Sequence, residues 1–117
     1  MSRDYRLYLQ DIIECCQNAR SYVGKMTFEE FSNDRKTIDA VVRNLEIIGE
    51  AIKNVPSEFL QTKPAIEWKQ VARFRDLIIH KYFKIKLTIV WDIVQNRLEE
   101  LKTAVDEILS EMPKSED

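Results

Sequence analysis

Three side chains within one short stretch carry groups suited to acting on a phosphodiester. They are Arg75, His80 and Tyr82, in the segment RFRDLIIHKYFKIK that runs from 73 to 86. His80 is the only histidine of the chain. An imidazole with an unperturbed pKa near 6.5 can take a proton or give one at neutral pH. Arg75 stays charged and presents a planar fork that matches phosphate oxygens. Tyr82 can hydrogen-bond a phosphate or sugar, or stack on a base.

The spacing sets a geometric condition on that chemistry. At about 100° per residue, Arg75 and Tyr82 fall on nearly one face of an α-helix, whereas His80 lies about 140° round from Arg75. One straight helix in one subunit therefore does not gather all three. Either the helix ends or bends near His80, or two chains pair so that two copies of the motif face one cleft. Asp76 stands four residues before His80, where its carboxylate can hold one ring nitrogen and fix the tautomer. Taken alone, the same residues also fit an ordinary surface pair beside a structural histidine.

Charge is concentrated around this stretch. Between Lys69 and Lys86 there are six basic residues, Lys69, Arg73, Arg75, Lys81, Lys84 and Lys86, against the single acid Asp76. That segment is net +5 within a chain of net charge −2, so the remainder carries −7. Such a strip can track a nucleic-acid backbone while the acidic remainder repels it elsewhere, or it can be a solvated face.

The elements that must position these residues read as helices. With two glycines and three prolines in 117 residues, natural turn positions are few,. From Tyr5, apolar residues at Tyr8, Leu9, Ile12, Ile13, Cys16 and Ala19 recur at helical steps, and Gly24 is a natural stop. TFEE at 27–30 has the capping-box form and opens a short helix carrying Phe28 and Phe31. After SND at 32–34, a second long helix places Ile38, Val41, Val42, Leu45, Ile48, Gly49 and Ile52 on one stripe. Gly49 costs about 1 kcal/mol of propensity there, which predicts close approach by a neighbouring element. On the same helix Asp39, Arg43, Glu46 and Glu50 form a charged stripe, readable as an ion-pair ladder or as support for a site.

NVPSEFLQTKP reads as a loop with one helical turn, and Pro64 as the first turn of a helix running through Trp68, Val71, Ala72, Leu77, Ile78 and Ile79 to His80. The period breaks after 82, and from Leu87 a last helix carries Val90, Trp91, Val94, Leu98, Leu101, Val105 and Ile108. Trp68, Phe74 and Trp91 are core or interface aromatics. The expected architecture is all-α, an up-and-down bundle of four main helices plus a short one. It forms one domain over 1–112, with a flexible acidic tail at 113–117.

Several classes are disfavoured. No leader pattern and no apolar run of about 18 residues occurs, which predicts a cytoplasmic protein without a membrane span. Cys15 and Cys16 are adjacent and alone, so neither a disulfide framework nor, with one histidine, a zinc set is expected; one thiol should be buried and its neighbour partly exposed. No cofactor or metal is anticipated.

The residues also resemble a family. RDLIIHKY fits the R-x4-H-x-Y signature, with a polar residue directly after the arginine, of HEPN-domain ribonuclease toxins of the HepT-like group. IDAVVRNLEIIGEAIKNVP at 38–56, Trp68, and YFKIKLTIVWDIVQNRLEEL at 82–101 are similar to the same group, in the same order along nearly the whole chain. The resemblance implies a helical homodimer that cuts RNA without metal in a cleft where two motifs meet, with Arg75, His80 and Tyr82 catalytic. It further implies a type VII-like toxin–antitoxin pair, in which a nucleotidyltransferase antitoxin of the MNT type transfers AMP to Tyr82. Where relatives often begin the last helix with an acidic cap, this chain has Lys86, which weakens the helix start and adds charge near the cleft. Two other readings fit the residues: a non-catalytic subunit that partners a nucleotidyltransferase, and a structural dimerisation domain.

Overall fold

A computed structural model describes residues 4–76 and 86–112 of the chain. Among these the structure is all-α, with no strand. It comprises α1 (Tyr5–Val23), α2 (Phe28–Ser32), α3 (Arg35–Ile52), α4 (Ser57–Leu60), α5 (Trp68–Ala72), a 3-10 turn (Arg73–Arg75), α6 (Leu87–Asp92), a π segment (Ile93–Arg97) and α7 (Leu98–Glu111).

The first three helices begin and end where local chemistry dictates. Asp4 caps α1 by accepting from the Arg6 backbone N–H at 2.9 Å,. Gly24 ends α1 in a left-handed conformation, φ 54°, and its N–H bonds the Arg20 carbonyl,. At α2 the Thr27 hydroxyl accepts from Glu30 N–H at 3.1 Å, and the Glu30 carboxylate accepts from Thr27 N–H at 2.9 Å. This is the expected capping box. Asp34 caps α3 through Thr37 N–H at 3.0 Å, and that bond holds its carboxyl below the usual range,.

Amphipathic faces then decide the packing. α1 lies between α3 and α7, and the core joins Leu9, Ile12 and Ala19 to Val41, Leu45 and Ile48, and to Leu98, Leu101 and Val105. Each fully buried aliphatic side chain of this kind contributes about 1.5–3 kcal/mol. Because α1 has helices on two sides, both adjacent thiols are covered, correcting the expectation of one exposed cysteine. Burial raises the pKa of Cys15 to about 11 and that of Cys16 to about 12,.

Two boundaries differ from the sequence reading. α5 starts at Trp68, not at Pro64. Residues 63–66 close a turn of their own, Ile66 N–H to Lys63 carbonyl at 3.2 Å. The Trp68 indole N–H then ties that turn down by donating to the carbonyls of Leu60 (2.8 Å) and Lys63 (3.1 Å). The last helix is also not uniform, for it widens into the π segment before α7. Phe74 is buried in the core, and Trp91 is partly buried, packed against Phe28 and Phe31 at centroid distances of 5.7 and 5.5 Å.

Candidate nucleic-acid cleavage site

The turn that carries Arg75 is placed by a glycine on another helix. A Cβ at Gly49 would lie 2.7 Å from the Arg75 backbone N, 2.9 Å from the Ala72 carbonyl oxygen and 3.3 Å from that of Val71. Only a residue without a side chain lets α3 and the 3-10 turn meet this closely. The approach inferred for Gly49 from propensity is therefore present, and its partner is the motif-bearing segment.

The winding changes at the same place. Residues Arg73–Arg75 form a 3-10 turn, with about three residues per turn in place of 3.6, so the straight α-helix expected from 64 to 80 is already interrupted at Arg75,. Phe74 points into the core, while Arg73 stays exposed and Arg75 is partly covered. The sequence order Arg73, Phe74, Arg75 thus becomes one apolar anchor flanked by two cations.

Arg75 has acidic company. Its Nη1 lies 3.1 Å from Glu50 Oε1 of α3, and its Nε lies 3.9 Å from Asp76 Oδ1. Asp76 follows the 3-10 turn and is half-buried. Lys69 is exposed on α5, and Lys86 is exposed at the start of α6, where no side chain caps the helix, as its identity predicted.

One cleft borders this segment and another borders Glu50. One, about 420 Å³, opens between α5 and the α6–π–α7 run and has apolar walls including Ile66, Phe74, Ile89 and Ile93, with Arg73 and Arg97 at its edges. The other, about 380 Å³, lies between α1 and α3 and is lined by Tyr8, Arg43, Glu46 and Glu50. Among the described residues no group of three His, Cys, Asp or Glu side chains could hold a metal ion, and no helix is long and apolar enough to cross a membrane.

Of the residues singled out by sequence, Lys69, Arg73, Arg75 and Asp76 follow one another along α5 and the 3-10 turn, and Lys86 stands at the start of α6. His80, Tyr82, Lys81 and Lys84 lie outside the described residues, as does the expected tail at 113–117. Glu50 was visible only as a member of a charged stripe, and nothing in sequence linked it to Arg75.

The family described as "Ribonuclease HepT-like" matches residues 12–108. A "Putative RNase" of Methanocaldococcus jannaschii is 43% identical over 110 residues, covering 94% of this chain and 91% of that protein. A "Probable ribonuclease HepT" of Thermococcus cleftensis is 41% identical over 102 residues, 87% of this chain and 93% of its own. No solved structure gives a significant match.

Proposed function

The chain belongs to the HepT-like family of ribonucleases, and from that premise we propose that it is an endoribonuclease toxin. On this reading two copies form a homodimer, and RNA is cut without metal in the cleft between their motifs. One His80 takes the proton of a 2′-hydroxyl, whose oxygen attacks the adjacent phosphorus. The P–O5′ bond breaks, and the His80 of the other copy protonates the departing 5′-oxygen, leaving a 2′,3′-cyclic phosphate and a 5′-hydroxyl. Arg75 stabilises the negative charge that grows on the phosphorane oxygens. Lys69, Arg73, Lys81, Lys84 and Lys86 hold the RNA backbone.

The observation that carries this reading is the seating of Arg75. In a chain of this family, the motif arginine is docked against Gly49 and held partly exposed at a tightened turn, with further cations beside it.

Control of the activity is the second part of the proposal. A nucleotidyltransferase antitoxin transfers AMP from ATP to the Tyr82 hydroxyl: the phenolic oxygen loses its proton and bonds the α-phosphorus, and pyrophosphate leaves. The added phosphate then neutralises Arg75 and takes the place of an RNA phosphate. The protein acts in the cytoplasm, where RNA and such a partner meet.

Purified protein is expected to cut RNA in the presence of EDTA, and His80→Ala to lower the rate by about 10²- to 10⁴-fold while the dimer persists in sedimentation. Unchanged cleavage by that variant would sink the proposal. Intact mass after co-expression with a neighbouring nucleotidyltransferase should show one or more AMP adducts on Tyr82 together with loss of cleavage. Tight partner binding without any cleavage by the free chain would instead identify a non-catalytic subunit.

A further inference from the structure

The charged stripe of α3 is not one ladder. Asp39 bonds Arg35 at 3.1 Å and Arg43 bonds Glu46 at 2.6 Å, both within α3. Glu50 reaches to another element, the Arg75 guanidinium at 3.1 Å. The Glu50 side chain is 60% exposed, and a pair that open to water adds little to stability. Fold stability is thus a weak reason for an acid at this position.

Its neighbour supplies the context. Gly49 admits the Arg75 backbone, and Glu50 takes the Arg75 side chain, so two consecutive residues of α3 hold one arginine at both ends. Resting on the endonuclease reading above, we infer that Glu50 is the positioning residue for Arg75. It fixes the guanidinium by Nη1, with the Asp76 carboxylate near Nε. Among the described residues the Arg75 ion pairs engage Nη1 and Nε, and on this inference the Nη2 edge of the fork meets the phosphate. An arginine has five N–H donors in a rigid plane, so restraining one nitrogen orients the others.

This role makes a divided kinetic prediction. The Glu50 carboxylate partly neutralises Arg75 and so weakens its hold on ground-state phosphate. It also keeps the guanidinium where the transition state needs it, and misplacement on the scale of 1 Å can cost about 100-fold. Removing Glu50 should therefore lower kcat while leaving KM unchanged or lower.

The test compares Glu50→Ala, Glu50→Gln and Glu46→Ala in steady-state cleavage of a defined RNA. Glu46→Ala removes the same charge one turn away and should leave both constants as they are. Glu50→Ala is expected to reduce kcat by about 10- to 100-fold, with Glu50→Gln, which keeps the side-chain size and loses the charge of the ion pair, between it and the parent. Equal kcat for parent and Glu50→Ala overturns the inference, and a higher kcat would show that Glu50 competes with RNA for Arg75.

A second measurement stands apart from activity. The Arg75 side-chain 15Nε–1H signal should report restrained guanidinium rotation in the parent and freer rotation in Glu50→Ala. If the parent chain cuts no RNA, the endonuclease reading falls by itself. In that case loss of restraint still supports the Glu50 seat, and unchanged rotation removes it.

Discussion

Two short helices touch through Trp91 and begin in opposite ways. α2 opens with reciprocal bonds between Thr27 and Glu30, and has Glu29 and Glu30 in its first turn. α6 opens on Lys86, with no side-chain cap and no acid in the first turn. The first obeys every local rule for a helix start. The second sets a cation against the positive end of the helix dipole, an arrangement unfavourable by about 0.3–1 kcal/mol. α2 is held by its own residues, whereas the segments bordering the motif are held by contacts from elsewhere, Gly49 above all. Local chemistry is strong at the start of α2 and is given up at the start of α6, where charge serves the proposed RNA contact.

The contrast can be attacked at three points. The largest effect is expected from Gly49→Ala, which places a methyl group 2.7 Å from the Arg75 backbone N. Overpacking costs about 1–3 kcal/mol and the gain in helix propensity returns about 1, so chemical denaturation should show a net loss of up to about 2 kcal/mol. Cleavage should fall further than stability, because the displaced backbone carries Arg75; a variant as stable and active as the parent would remove Gly49 from the account.

Thr27→Ala should come next, costing about 1 kcal/mol through loss of one half of the capping box. That loss should leave RNA cleavage below the melting transition untouched, since α2 is held locally. Lys86→Ser is the smallest change and has the opposite sign. A hydroxyl at the helix start should add about 0.5–1 kcal/mol of stability. At the same time it should weaken RNA binding and reduce the salt slope of the affinity by about one unit. Stabilisation with unaltered binding would mean that Lys86 is not part of the nucleic-acid surface.

The same contrast explains what sequence could tell. Gly24, the Thr27–Glu30 box and Asp34 were legible because each acts within four residues of itself. Gly49 was legible as a misfit, a glycine inside an otherwise strong helix, though its partner was not named. The true start of α5 was hidden because it depends on the Trp68 indole reaching back to Leu60 and Lys63, a bond between segments that periodicity does not see. The double burial of Cys15 and Cys16 needed knowledge that α1 has neighbours on two sides. The Glu50–Arg75 pair spans 25 positions of chain, and no spacing rule covers such a distance.

The chain holds two tryptophans, and the fold has put them to different uses. Trp91 sits among the rings of Phe28 and Phe31, while Trp68 is a hydrogen-bonded hook beside the motif turn. The protein therefore carries two indole fluorophores in distinct settings, which long-wavelength excitation selects over its tyrosines. With Trp91 changed to Phe, the remaining emission would report the polarity and mobility around Trp68 alone, and the complementary variant would watch the aromatic cluster. Events at the candidate site and loosening of the scaffold could then be followed as separate optical signals, with no added label.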